Sequence, residues 1–257
     1  MQRTALHVLR NVGLSAAARL PLFMESRDTV PTSPYTLCRA SLLTAVRVLA
    51  EGDLRLAGLV ARYGVPPLWA RRPGFASLLR IILEQQVSLA SAQATYHRLA
   101  TAVEQVRPAN ILALGVAGLQ GLGLTRQKAS YARGLAEQVL EGQLALDRLG
   151  RYDDDEVRGH LMRVRGIGPW TANIYLLMAL RRPDIWPPGD LALHKALGRL
   201  AGSTRVPSSG EAEQLARRWR PMRAVAARIL WHAYLADNSR PGGRGTGPQL
   251  FARLRSE

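Results

Sequence analysis

The segment from Leu161 to Asp190, LMRVRGIGPWTANIYLLMALRRPDIWPPGD, most constrains what this chain can fold into. Its pattern predicts the end of one helix, a tight turn containing two glycines, and a second helix that begins near Pro169. Glycine tolerates the backbone angles of a tight turn, and proline is accepted at the first position of a helix. A rigid Trp-Pro-Pro-Gly stretch then leads to Asp190, which precedes another helical pattern. The segment therefore predicts a helical hairpin followed by a lone carboxylate.

The turn from Val164 to Pro169 has two interpretations. Gly166 and Gly168 can both take positive φ and expose backbone N–H groups. Together with the start of the following helix, those N–H groups would form a site for a phosphate oxygen. We expect Ile167 to fill the gap between the two helices. The alternative is an ordinary helical hairpin, because glycine is common in any turn.

Asp190 also has two interpretations. An Asp that precedes a helical pattern is usually the N-cap of that helix. The same position suits an ionised carboxylate beside a reacting centre, because capping N–H groups and nearby cations would keep it deprotonated. The two roles are compatible, so the capping role does not exclude the chemical one.

The chain is strongly basic, with 35 Lys and Arg against 19 Asp and Glu and a formal charge of +16 in 257 residues. This excess predicts a polyanionic partner, of which nucleic acid is the commonest, although a merely soluble basic surface is the alternative. Two stretches without acidic residues would form an anion-binding surface if they share one face. The first holds Arg55, Arg62, Arg71, Arg72 and Arg80, and the second holds Arg217, Arg218, Arg220, Arg223 and Arg228.

Composition narrows the class of protein further. A hydrophobic content of 47% suits a globular chain. Cys38 is the single cysteine, which excludes disulfides within the chain and a cysteine-ligated iron–sulfur cluster. No apolar run approaches the length of a membrane span, so we expect no membrane partner. Residues 1–23 lack acids and resemble an organelle transit peptide, although a disordered or misassigned start explains them equally well.

Helical periodicity runs through almost the whole chain without sustained strand alternation, so the sequence predicts an all-α fold. The predicted helices cover residues 39–51, 75–83, 88–106, a short stretch from 108, 125–140, 153–163, 170–180, 191–200, 211–219 and 222–236. We expect residues 1–35 to be disordered or leader-like and residues 36–237 to form the folded domain. Residues 238–257 are rich in Gly, Pro and Arg near their start and predict a mobile tail.

Five segments between residues 50 and 236, taken in order, resemble the helix-hairpin-helix (HhH-GPD) DNA glycosylases, and most of all their 3-methyladenine glycosylase II branch. They are RIILEQQVS at 80–88, GLGLTRQKASY at 121–131, LMRVRGIGPWTAN at 161–173 with Pro-Gly-Asp at 188–190, WRPMR at 219–223 and ILW at 229–231. Any one of these segments is weak evidence, whereas their combination in this order is specific.

The resemblance implies two helical lobes with a central cleft, in which a base flipped out of duplex DNA meets a catalytic acid at Asp190. It implies a base pocket of Gln85, Trp170, Ile174 and Trp231, with the two tryptophans as aromatic walls for a cationic base. It implies DNA contacts at Gln86, Ser88, Lys128, Arg165, Gly166, Ile167, Gly168 and Thr171. The carbonyl groups of Val164 and Gly166 would suit a monovalent cation, while no metal and no cofactor is expected in bond cleavage.

The implied activity is hydrolysis of the N-glycosidic bond of alkylated purines in base excision repair. Bifunctional members of the family have a Schiff-base lysine where this chain has Trp170, so no lyase activity is expected. Two departures from the closest relatives bear on the substrate range. Ile174 stands where they have an aromatic residue of the base pocket, and Gln86 stands at the position of their DNA-wedging leucine.

Three alternatives stay open at the level of sequence. They are a glycosylase for oxidised or mismatched bases, a non-enzymatic helix-hairpin-helix DNA-binding module, and a structural subunit whose basic face meets RNA. We expect the partner to be double-stranded DNA with damaged bases and the chain to act as a monomer. The expected location is the cytoplasm, in association with the nucleoid, for a bacterial protein, and the nucleus or an organelle for a eukaryotic one.

Overall fold

The computed structural model describes residues 36–238. The leader-like segment predicted for residues 1–35 lies outside the described residues, as does the tail predicted for residues 238–257, apart from Asn238 at the end of the last helix. Within the described part, the chain forms eleven α-helices and two short 3₁₀ helices and contains no β-strand. The prediction of an all-α fold is therefore confirmed.

The helices follow one another through short connections. Helices α1 to α6 are Arg39–Gly52, Leu54–Tyr63, Phe75–Glu84, Leu89–Val103, Pro108–Gly121 and Arg126–Leu140. Helices α7 to α11 are Asp154–Met162, Pro169–Met178, Leu191–Leu200, Ser209–Ala216 and Arg223–Asn238. The 3₁₀ helices are Leu149–Arg151 before α7 and Arg217–Trp219 before α11.

Two lobes arise from the way these helices pack. Helices α3, α4, α5 and α6 pack on one another, and α1, α2, α9, α10 and α11 form the second group. Helix α8 packs on α3 and α7. Carbonyl groups at its C-terminal end accept hydrogen bonds from Arg71, just before α3, and from Arg228 in α11. The Met178 carbonyl accepts from Arg71 N at 2.9 Å, and the Leu177 carbonyl accepts from Arg228 Nη2 at 2.7 Å. Helix α8 therefore lies where the lobes meet.

Local capping signals set the starts of several helices, as the sequence predicts. Thr125 Oγ1 accepts from Lys128 N at 3.2 Å at the start of α6, and Pro169 is the first residue of α8. The acidic run before α7 supplies a capping box, in which Asp153 and Glu156 accept from each other's backbone N–H groups.

Other boundaries differ from the periodicity for identifiable reasons. The prediction omits α2, although its buried residues Leu56 and Val60 have helical spacing; Asp53 caps this helix by accepting from the N–H groups of Arg55 and Leu56. Helix α4 ends at Val103 rather than at residue 106, because Glu104 takes φ 56°. The single helix predicted for residues 211–219 divides into α10 and the second 3₁₀ helix.

Candidate active site and nucleic-acid interface

Asp190 is the N-cap of α9, as its position before a helical pattern indicates. Its Oδ1 accepts from Leu193 N at 2.9 Å, which satisfies one of the free N–H groups in the first helical turn. Gly189, just before it, takes φ 71°, a left-handed conformation that glycine adopts readily. Asp190 is 7% exposed to solvent. The carboxylate is therefore held at a helix N-terminus with little contact with bulk water.

Two tryptophans donate hydrogen bonds to the same carboxylate. Trp170 Nε1, at the start of α8, donates to Asp190 Oδ2 at 3.0 Å. Trp231 Nε1, in the middle of α11, donates to Asp190 Oδ1 at 3.1 Å. The structure thus brings together three residues that the sequence separates by 20 and 41 positions. The resemblance implies both tryptophans near Asp190, but as aromatic walls rather than as hydrogen-bond donors.

The other two predicted pocket residues have different surroundings. Ile174 is 1% exposed and belongs to the hydrophobic core, so a base could reach it only after neighbouring side chains move. The aromatic residue next to it, Tyr175, is also buried, and its hydroxyl accepts from Gly74 N at 2.9 Å. Burial raises the pKa of Tyr175 to about 12. Tyr175 therefore secures the connection before α3 and does not replace the aromatic missing at Ile174.

The hairpin between α7 and α8 has the expected form. Ile167 is 5% exposed and its N–H donates to the Val164 carbonyl at 3.0 Å. Gly166 takes φ 92°, and a Cβ at this position would clash with the ring of Tyr131. Gly168 differs from the expectation, since its φ is −99° and a Cβ there would meet nothing within 4 Å. Only Gly166 is therefore required by backbone angle and by space.

The start of α8 has no side-chain cap. Gly168 is its N-cap residue, and Pro169 has no N–H group. The N–H groups of the first turn are therefore available to an anion, and the positive end of the helix dipole lies at the same place. Arg165 is exposed in the hairpin beside them. This arrangement suits a phosphate oxygen, as the turn sequence predicts.

Gln85 and Lys128 lie against the hairpin but are bonded within the protein. Gln85 Nε2 donates to the Gly166 carbonyl and to Thr171 Oγ1, both at 2.8 Å. Lys128 Nζ donates to the carbonyl groups of Leu83 and Gln85 at 2.7 and 2.9 Å, and burial lowers the pKa of Lys128. Thr171 is buried as a whole residue, so its DNA contact stays a prediction. One ammonium proton of Lys128 remains for a phosphate.

A cavity of about 370 Å³ lies beside these hydrogen bonds. Its lining consists of Gln85, Gln86, Gln127, Lys128, Tyr131, Gly166, Ile167 and Gly168. Gln86 is exposed with φ 54°, a strained value for a residue other than glycine. Ser88 is exposed and caps α4 by accepting from Ser91 N at 3.3 Å.

Sequence reasoning missed Gln127 and Tyr131. Gln127 Nε2 donates to the Tyr131 hydroxyl at 2.8 Å, and both line the cavity. The available signal was their spacing of four residues in the second Gly-containing turn segment, which puts two side chains on one face of α6. Both residues belong to the segment at 121–131.

The two carbonyl groups expected to suit a monovalent cation are already hydrogen-bonded. The Val164 carbonyl accepts from Ile167 N, and the Gly166 carbonyl accepts from Gln85 Nε2. A carbonyl oxygen has a second lone pair, so the cation site stays a prediction. Among the described residues, no cluster of three or more His, Cys, Asp and Glu side chains has the arrangement of a metal site.

Several arginines of the two arginine-rich stretches are not available to a polyanion. Arg71 is buried and bonds Glu84 through two nitrogens at 3.0 and 2.9 Å. Arg228 is fully buried and donates to three backbone carbonyl groups, and burial lowers its pKa to about 9. Arg223 is bonded to Asp184 at 2.7 Å. Part of the formal charge is therefore internal, and the exposed members are Arg55, Arg62, Arg72, Arg217, Arg218 and Arg220.

No helix in the described part of the chain is both long enough and apolar enough to cross a bilayer.

Comparisons with known proteins bear on the family and the fold of this chain. A family model described as "HhH-GPD superfamily base excision DNA repair protein" matches residues 79–221. A putative DNA-3-methyladenine glycosylase of Bacillus subtilis is 25% identical over 186 residues, which cover 69% of this chain and 65% of the relative. DNA-3-methyladenine glycosylase 1 of Schizosaccharomyces pombe is 24% identical over 227 residues, or 86% of this chain and 97% of the relative.

A second DNA-3-methyladenine glycosylase of Bacillus subtilis is 30% identical over 113 residues, or 44% of this chain. The match spans 37% of that relative, so the chain spans well under the full length of both Bacillus subtilis proteins. A crystal structure of a DNA-3-methyladenine glycosidase from Bacillus halodurans superposes with a TM-score of 0.62 at 27% identity, over 74% of this chain and 88% of that one.

A Schizosaccharomyces pombe 3-methyladenine DNA glycosylase in complex with abasic DNA has the same fold. It superposes with a TM-score of 0.67 at 23% identity, over 73% of this chain and 95% of that one.

Proposed function

The chain belongs to the HhH-GPD superfamily of base excision DNA repair proteins, and we propose that it is a monofunctional DNA glycosylase for alkylated purines of the 3-methyladenine type. The observation that carries this proposal is the placement of Asp190. A nearly buried carboxylate, held by three hydrogen-bond donors, lies opposite the end of α8 that begins at the hairpin. The names of the relatives, which are DNA-3-methyladenine glycosylases, support the same substrate class.

The proposed partner is double-stranded DNA that contains a damaged base, bound by one copy of the chain. The uncapped start of α8 and the exposed Arg165 would bind a phosphate on the damaged strand. Gln86 projects beside the polar cavity and would occupy the space that the flipped nucleotide vacates. Exposed arginines on the rest of the surface would add attraction that weakens with salt.

The proposed reaction is hydrolysis in which alkylation has already prepared the leaving group. The bond between the anomeric carbon and the purine nitrogen breaks, and its electron pair leaves with the cationic purine, which departs as a neutral base. The oxygen of a water molecule bonds to the anomeric carbon, and the proton that this water loses passes to Asp190 and then to solvent. Asp190 also stabilises the positive charge that develops on the sugar. The products are a free base and an intact abasic strand.

Lyase chemistry requires an amine that can attack the sugar carbon. The residue of α8 that is bonded to Asp190 is Trp170, whose indole nitrogen donates a hydrogen bond, and Lys195 lies in α9, five positions after Asp190. The chain has two lysines, Lys128 and Lys195, and the ammonium group of Lys128 is bonded to two carbonyl groups at the end of α3. We therefore propose that the strand is left uncut.

The test is release of free base from duplex DNA treated with a methylating agent, comparing the wild-type protein with Asp190→Asn. Asn caps a helix as well as Asp does and keeps one oxygen for Leu193 N, so the variant should fold. Base release should fall by at least about a hundredfold, while affinity for abasic-site DNA persists.

Two results would contradict the proposal. If the wild type binds DNA tightly but releases no methylated purine, the substrate class is wrong, and duplexes with oxidised or mismatched bases come next. If Asp190→Asn releases base at the wild-type rate, catalysis does not depend on this carboxylate.

A further inference from the structure

The hydrogen bonds at Asp190 leave one acceptor position open. An ionised carboxylate has about four lone-pair positions, two on each oxygen. Oδ1 uses both of its positions, since it accepts from Leu193 N at 2.9 Å and from Trp231 Nε1 at 3.1 Å. Oδ2 uses one, for Trp170 Nε1 at 3.0 Å. The remaining position on Oδ2 is therefore the one from which the carboxylate can meet a ligand.

We propose that Trp170 and Trp231 act through their indole N–H groups as positioning residues, which hold the Asp190 carboxylate so that Oδ2 alone faces the reacting sugar and its water. This inference rests on the proposed glycosylase function and deepens it. The two oxygens of the Asp190 carboxylate then have different roles. Oδ1 is an anchor within the protein, and Oδ2 is the oxygen that stabilises the developing charge and accepts the water proton.

The anchor side is rigid because α11 is tied to its neighbours one turn before Trp231. Arg228 is 0% exposed and donates to the carbonyl groups of Leu68 and Leu177 at 2.9 and 2.7 Å. Leu177 belongs to α8, the helix that carries Trp170. Arg228 therefore sets α11 against α8, and the two indoles hold the carboxylate from fixed positions.

The open side is adjacent to the nucleic-acid interface. Trp170 is the second residue of α8, directly after Pro169 and two residues after the N-cap Gly168. It is half-buried, whereas Trp231 is 1% exposed. A strand held at the uncapped start of α8 would lie next to the indole that orients Oδ2. Binding of the phosphate and orientation of the carboxylate would thus depend on the same helical turn.

A role through the N–H groups differs measurably from a role as aromatic walls. Phenylalanine keeps an aromatic face but has no N–H group, so Trp231→Phe and Trp170→Phe separate the two roles. Removing a donor to a charged acceptor should lower the rate of base release under single-turnover conditions roughly 10- to 100-fold. Affinity for abasic-site DNA should stay near the wild-type value, because phenylalanine keeps the aromatic face.

Trp186→Phe is the matched control. Trp186 is 5% exposed, and its Nε1 is buried with no hydrogen-bond partner. The substitution removes the same atoms from a neighbouring tryptophan without removing a bond to Asp190, so the single-turnover rate of base release should stay near that of the wild type.

Fold loss in Trp231→Phe would be recognised by its melting temperature and by its affinity for abasic-site DNA. In that case, Trp231 is replaced by benzothienylalanine, which has nearly the shape of tryptophan with sulfur in place of N–H. A folded variant that releases base more slowly but binds abasic-site DNA with wild-type affinity supports the inference. A rate like that of the wild type overturns it. Absence of base release by the wild type itself would instead refute the proposed function.

Discussion

Replacing Gly166 with alanine should destabilise the hairpin by an amount that the structure allows us to work out. The backbone at Gly166 has φ 92°, and a left-handed conformation costs a residue with a Cβ about 1–2 kcal/mol. The new Cβ would also overlap the ring of Tyr131, and overpacking of this kind costs typically about 1–3 kcal/mol. We therefore expect the free energy of unfolding to fall by roughly 2–5 kcal/mol.

Gly168→Ala is the matched control for this prediction. Gly168 lies two residues away in the same turn, with φ −99°, and a Cβ there would meet nothing within 4 Å. Its substitution should change the free energy of unfolding by less than about 1 kcal/mol. Urea denaturation of the two variants, followed by circular dichroism, measures both values.

A double-mutant cycle then separates backbone strain from overlap. Tyr131→Ala removes the ring that Gly166→Ala would strike, so the double variant should be about 1–3 kcal/mol more stable than the sum of the single effects. The remaining cost is the strain at φ 92°. Additive single effects, or equal losses for Gly166→Ala and Gly168→Ala, would refute the reasoning that the Tyr131 ring sets the requirement for glycine.

Two further predictions concern buried charge. Glu84→Gln should lower the free energy of unfolding by about 3–5 kcal/mol, because it leaves the buried Arg71 guanidinium without its carboxylate. Thermal or urea denaturation measures this loss. A loss below about 1 kcal/mol would mean that water compensates the charge. Burial lowers the pKa of His194 below 6.5, so the unfolded chain binds a proton there that the folded chain does not. Stability should therefore decrease as pH falls below about 6.5, and His194→Gln should flatten that part of the stability curve; an unchanged slope would rule out the assignment.

The fold could be predicted from sequence because its signals are local. Thr125, Pro169 and Asp190 each mark a helix start through their own chemistry, and apolar periodicity marks the buried faces. Helix α2 is missing from the prediction although its signals are also local, since Asp53 caps it and its buried residues Leu56 and Val60 are four positions apart.

The candidate site likewise has a part that local sequence predicts and a part that depends on how the helices pack. Gly166 and Asp190 lie in one segment whose residue types already indicate a turn and a carboxylate. The donors to Asp190 could not be predicted, because an indole N–H points at a carboxylate only when three helices pack at particular angles. The local sequence pattern likewise does not predict that Arg71 forms hydrogen bonds with Glu84 or that Arg228 is buried among carbonyl groups. Net charge counts such arginines as surface, so it overstates the charge that a polyanion meets.

Helix α8 explains why the hairpin and the carboxylate must occur together. Its N-cap is Gly168 and its second residue is Trp170, so the N–H groups that we propose bind a phosphate and the indole that we propose orients Asp190 belong to the same helical turn, about 3 Å apart along the axis at 1.5 Å per residue. Thr171 adds a bond to Gln85, which also holds the Gly166 carbonyl. A displacement of the hairpin would therefore move the indole with it. Binding of the strand and orientation of Asp190 are for this reason properties of one rigid element, and neither would survive a rearrangement of the other.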